Sequence, residues 1–192
     1  MPGIDRHPAL LFTPFMPRSS PATHVQGLVT RLMEEDFVAA HALWVEGHLR
    51  VLSGLRQAFG NDMDKVMVLA AIGQQMLNDP AMAGLPLRPD TAMPVEVPPS
   101  RLTNAGSIAA ALGIPRESVR RKVNELVTAG WVVRDEAGHL AVAPQAAADL
   151  GPVTLNAIAM LDGLFSQYLT MMIGKGWIEV VTPPEHGPQP GR

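Results

Sequence analysis

Residues 110–132 read AALGIPRESVRRKVNELVTAGWV, and the fold turns on how this stretch divides. Val119, Val123, Leu126 and Val127 recur at three- and four-residue spacing, which predicts a helix over about 116–129 with one face on a core. Gly113-Ile114-Pro115 separates it from a shorter helix over about 105–112. Gly113 stands where a tight turn needs positive φ, and Gly130 follows the second helix as a C′ glycine. Asn104 is placed to accept the backbone N–H of Ser107 and cap the shorter helix. Ala109 is small where the two helices must approach closely, and Ile108, Leu112 and Ile114 complete the expected buried set.

Downstream, Trp131–Arg134 and His139–Val142 have strand character, joined by the hairpin connection Asp135-Glu136-Ala137-Gly138. Helix, short turn, helix and β-hairpin in that order form the plan of a winged helix-turn-helix. The expected fold is therefore mainly α, a three-helix core with a β-hairpin wing set in a helical dimerisation scaffold.

With the valines and Leu126 turned inward, Arg116, Glu117, Arg120, Arg121 and Asn124 share the opposite face. Arginine and asparagine suit bidentate reading of guanine and adenine edges in the major groove, and the start of such a helix reaches the bases. Arg116, Arg120 and Arg121 lead as base or phosphate contacts. Ser118 suits phosphate at the helix start, and Asn124 a base or the backbone. Glu117 lies among them, with an i,i+4 pair to Arg121 expected. Lys122 is expected at solvent or at a peripheral phosphate.

Charge agrees only locally. The chain carries a net −3, with 7 basic against 10 acidic residues in 1–100 and 2 against 4 in 144–192. Residues 101–143 hold 6 against 4, so the positive excess falls on the candidate motif.

GIPRESVRRKVNELVTAGWV, residues 113–132, resembles the recognition helix and first wing strand of bacterial winged-helix transcription regulators, the GntR and MarR families being the nearest types. The resemblance covers about residues 101–143. It implies sequence-specific, usually dimeric binding to double-stranded DNA, with the wing touching phosphate or the minor groove. On that implication Arg134 and His139, flanking the wing tip, become second-rank contacts. Two positions depart from the pattern: Pro115 stands where these families often carry Ser or Thr, and Asp135 and Glu136 make the wing tip acidic.

Around this motif the chain divides by composition. Residues 1–22 form a Pro-rich arm, expected to be flexible. Residues 23–60 carry a helical pattern from about His24, with a break at Glu34-Glu35-Asp36, where Asp36 can cap a second helix, and an end at Gly60-Asn61. Residues 61–150 hold the winged motif, including a helix capped by Asp62 and a Pro-rich connection over 79–100 with six prolines. A C-terminal apolar helix is expected from about Pro152 to Met172, within 151–182, ahead of a flexible tail over 183–192. Leu155, Ile158, Leu161, Leu164, Phe165, Tyr168, Leu169 and Met172 give it a stripe suited to a homodimer, which would set two recognition helices one DNA turn apart.

His41, Trp44 and His48 share one helical face and are candidates for a small apolar effector. His41 and His48 stand about 10 Å apart along a helix, so no metal site is expected. With no cysteine in the chain, thiolate zinc and cysteine nucleophiles are excluded. No phosphate-binding glycine loop, HExxH or nucleophile elbow occurs, so neither catalysis nor a cofactor is expected. The N-terminus lacks a long apolar run, and Asp162 interrupts the most apolar segment at a cost of about 2.5–3.5 kcal/mol for membrane insertion. No membrane association and a cytoplasmic location are the expectations. The rival function is a winged-helix scaffold that binds protein without specific DNA binding.

Overall fold

A computed structural model of the protein describes residues 27–78 and 103–179. The N-terminal arm, the start of the expected first helix at His24 and Val25, the connection over 79–100 and the tail over 183–192 lie outside the described residues. The chain is mainly helical, with six helices and one two-stranded antiparallel sheet among the described residues: α1 (Leu28–Glu35), α2 (Phe37–Ala58), α3 (Met63–Leu77), α4 (Ala105–Leu112), α5 (Arg116–Thr128), β1 (Val132–Arg134), β2 (Leu140–Val142) and α6 (Pro144–Gly174).

The described residues form two compact units, one built from 49–78 and 103–159, the other from 27–48 and 160–179. Their boundaries fall inside α2 and α6, whereas composition had suggested 60/61 and 150/151. A long helix can bury its stripe on different neighbours along its length, and composition does not register that change of neighbour.

In the first unit, α5 packs on α3 and α4, and α3 also packs on β2. Val119, Val123 and Leu126 are fully buried in a core with Val68, Leu69, Ile72, Ile108 and Ala109, and Val132 and Leu140 carry that core into the hairpin. Val127 was expected in this set but is 37 % exposed; its place on the helix lies past the edge of the buried stripe.

Local signals set the boundaries. The side chain of Asn104 accepts the N–H groups of Gly106 and Ser107, and Asp62 accepts that of Lys65. Gly113 takes φ 67° between α4 and α5. After α5, Trp131 N–H donates to the Leu126 carbonyl and Gly130 N–H to that of Val127, the paired bonds of a Schellman stop. The sheet pairs Val132 with Val142 and Arg134 with Leu140, and Leu140 N–H donates to the Thr103 carbonyl on its other side. The hairpin also leans on α3, where Met76 Sδ accepts the Val142 N–H at 2.9 Å.

The last helix starts at Pro144 rather than near Pro152, so proline lies inside it. Pro152 has no N–H for the Ala148 carbonyl, but the residue before it is Gly151, with no Cβ for the proline ring to crowd. The first turns are also held by side chains: Asp149 accepts Trp131 Nε1–H from outside the helix at 2.8 Å and Gln145 Nε2–H from within it at 2.7 Å.

In the second unit Leu32, Ala40, Tyr168 and Met172 make the buried centre. Tyr168 Oη donates to the Ala40 carbonyl at 2.9 Å, and burial raises the pKa of its phenol. Asp36 begins the bend between α1 and α2, and its carboxylate lies 2.8 Å from Lys175 Nζ. Trp177 folds back beneath Arg31, whose guanidinium carbon is 4.0 Å from the ring centroid. By length and composition α6 is apolar enough to cross a membrane.

Candidate nucleic-acid interface

The outward side of α5 gathers most of the residues singled out from sequence. Its start rests on Pro115, at φ −53°, without a side-chain cap. Proline presets the turn, and its missing N–H removes one donor from the uncapped end. Arg116 begins the helix, with its guanidinium folded over Gly106 at the start of α4: a Cβ placed there would lie 3.6 Å from it. Ser118 is half-buried at the first turn, while Arg120, Arg121 and Asn124 are exposed.

Five of the expected contacts, Glu117, Arg120, Asn124, Arg134 and His139, are engaged within the molecule. Arg120 donates from Nε and Nη2 to Glu117, the shortest bond being 2.8 Å. The expected pairing was Glu117 with Arg121; the i,i+3 neighbour takes its place. The hydrogen bond from Arg120, then its charge, holds the Glu117 carboxyl below its usual pKa. Arg134 Nη2 donates to Asn124 Oδ1 at 2.8 Å, so this pair ties β1 to α5. At the hairpin tip His139 N–H donates to Asp135 Oδ1, and His139 Nδ1 lies 2.8 Å from Asp135 Oδ2. The His139 hydrogen bond leads the causes that lower the Asp135 pKa. Arg121 makes no ion pair or side-chain hydrogen bond among the described residues.

Lys122 corrects the sequence reading. It is 8 % exposed and forms an ion pair with Asp62 at the start of α3. One turn along, Lys65 Nζ meets Glu125 Oε2 at 2.7 Å. Burial acts to raise the Asp62 pKa, but the hydrogen bonds from Lys122 and the Lys65 N–H, with both ammonium charges, leave it lowered. The Lys65 hydrogen bond likewise leads the lowering at Glu125. Sequence flagged Asp62 as a cap; its ionic partner, sixty positions away, left no periodic signal.

The effector candidates lie on the other unit and do come together. Phe37, His41, Trp44 and His48 stack in succession along α2, at centroid distances of 4.7, 5.6 and 4.0 Å. His48 Nδ1 lies 2.9 Å from the Trp44 carbonyl. These rings cover one another's faces, and Trp44 is 40 % exposed. Among the described residues no group of three or more His, Asp or Glu side chains is placed to hold a metal ion.

The α5 face can therefore offer an anionic polymer two unoccupied guanidinium groups at Arg116 and Arg121, with Arg120 held beside them by Glu117. Compared with known proteins, the chain matches no family model, no curated protein and no solved structure.

Proposed function

We propose that this protein is a sequence-specific, double-stranded-DNA-binding transcription regulator, and that α3, α4, α5 and the β1–β2 hairpin form its winged helix-turn-helix. The observation that carries the reading is that Arg116, Arg120 and Arg121 are all exposed on α5, with Arg121 opposite the fully buried Val119, Val123 and Leu126. Such a helix presents basic, fork-shaped donors to the major groove while its other face anchors it. The Asn124–Arg134 bond supports a refinement: it turns Arg134 from a wing contact into a strut holding the hairpin against α5.

Homodimerisation belongs to the same reading. Leu155, Ile158, Leu161 and Phe165 are exposed along α6, and Asp162 is the only charged residue between Leu150 and Gly174. A second copy can cover such a stripe, in which the Asp162 carboxylate is the one charge to keep hydrated. A small apolar effector at His41, Trp44 and His48 stays a subsidiary proposal, as does a cytoplasmic location.

A protein-binding scaffold of the same fold is the second reading. Neutralisation of Arg120 by Glu117 and the acidic tip at Asp135 and Glu136 favour it. Selection of bound fragments from genomic DNA across a salt series separates the two. A regulator enriches one discrete motif, with affinity falling steeply as salt rises. The scaffold enriches none at any salt concentration.

A further inference from the structure

We infer that the ion pairs Asp62–Lys122 and Lys65–Glu125 form a register code that positions α5, making these four side chains positioning residues for the arginine face. The part concerning DNA rests on the proposed DNA-binding function. The order of signs carries the inference. On α3 the acid comes first and the base three residues later; on α5 the base comes first and the acid three residues later. The native alignment therefore matches two opposite pairs. Sliding α5 by one turn sets Asp62 against Glu125 in one direction, or Lys65 against Lys122 in the other. Either slip replaces attraction with repulsion between like charges in a partly desolvated place.

The apolar contacts discriminate less. Val119, Val123 and Leu126 meet Val68, Leu69 and Ile72, aliphatic side chains whose burial is non-directional. A three-residue slip moves α5 about 4.5 Å along its axis, more than the roughly 3.4 Å between successive bases on a strand. Arg121 would then face a different base pair.

Asp62 suits a fixed reference point because its two oxygens divide the work. One accepts the Lys65 N–H at 3.0 Å as the cap of α3, and the other meets Lys122. The carboxylate is thereby tied to the end of α3, and the Lys122 side chain that reaches it is only 10 % exposed. A buried ion pair adds little net stability, and fixing register is its best-attested use.

The decisive variant exchanges the outer pair, Lys65→Glu with Glu125→Lys. Opposite charges still meet at both places and Asp62 still caps α3, but α3 now carries two acids and α5 two bases, so a slipped alignment meets no repulsion. The expected result is an unchanged melting temperature with doubled or exchange-broadened amide signals from α5 in the NMR spectrum of the full chain. Lys122→Met, which removes the inner pair at similar side-chain length, is expected to broaden the same signals. The ratio of specific to non-specific DNA affinity is expected to fall roughly tenfold in the exchanged variant, about what one mismatched base pair costs. Single, sharp α5 signals at wild-type positions in both variants would overturn the register code. Broadened signals with full discrimination retained would overturn its link to the arginine face. A wild-type chain that selects no motif would overturn the DNA-binding function alone, since the amide signals are read without DNA.

Discussion

Arg120 and Arg121 are adjacent in the chain yet differ in circumstance. Arg121 has no partner among the described residues, so Arg121→Ala removes a donor without freeing an acid. In the proposed complex it is expected to cost about 1–3 kcal/mol of specific binding if Arg121 reads a base. If Arg121 touches phosphate, binding weakens uniformly and the salt slope falls by about one. Fluorescence anisotropy on the selected motif and on scrambled DNA, at several salt concentrations, tells these apart; binding unchanged on both would remove Arg121 from the interface. Glu117 makes a prediction of opposite sign. Glu117→Gln releases Arg120 and deletes a negative charge that would face the phosphates in the proposed complex, so non-specific DNA affinity at low salt is expected to rise severalfold. If that affinity falls or stays level, Glu117 does not restrain Arg120.

Among the elements, those closed by local contacts were legible in the sequence, and those closed across space were not. Asn104, Gly113 and Gly130 act within a few residues of where they stand, so the two short helices, their turn and the hairpin were readable. The cap is separately testable: Asn104→Ala is expected to cost about 1 kcal/mol, seen as a lower melting temperature. Gly113→Ala tests conformation alone, because an added Cβ meets no atom within 4 Å; left-handed backbone strain of about 1–2 kcal/mol is expected. The α3–α5 contact was not readable, because the amphipathic pattern gives Lys122 only a direction and its partner belongs to another helix. Proline misled at α6, where Pro152 looks like a helix start and is an interior residue made tolerable by Gly151. The candidate site was legible as a face of α5, but its internal pairings, Glu117–Arg120 and Asn124–Arg134, depend on side-chain reach that periodicity does not contain. The α3–α5 pairs also give a pH dependence. Asp62 and Glu125 have lowered folded pKa values, so the unfolded chain binds their protons more readily. Their stabilisation is present above the ordinary carboxylate range and is lost as pH falls through the lowered folded values. Thermal melts are expected to shift down below about pH 4, and to do so less in Asp62→Asn, which keeps a capping oxygen. An equal acid shift in that variant would place the proton-sensitive contact elsewhere.

At the scale of the whole molecule, the apolar surface must find a cover. Leu161 and Phe165, 59 % and 68 % exposed, continue along α6 beside the stripe that seats Tyr168 and Met172 in the second unit. In that segment α6 packs with α1, and its end is held by Lys175 against Asp36 and Glu35. A second copy brings the same apolar residues by symmetry, and Phe37, Val38 and Trp44 on α2 are further exposed apolar residues of the unit. A stable interface takes about 800 Å² from each partner, and side chains of this size and exposure can supply much of it. Because Leu161 and Phe165 contribute little to their own unit's core, Leu161→Glu with Phe165→Glu is expected to leave the circular dichroism spectrum unchanged while halving the mass found by sedimentation equilibrium. The same variant is expected to bind a single half-site as the wild type does, but to lose the gain from a palindrome, because only a dimer engages two half-sites at once. A wild-type chain that sediments as a monomer at micromolar concentration would leave the α6 stripe without a second copy, and flotation of that chain with lipid vesicles would show the bilayer to be its cover.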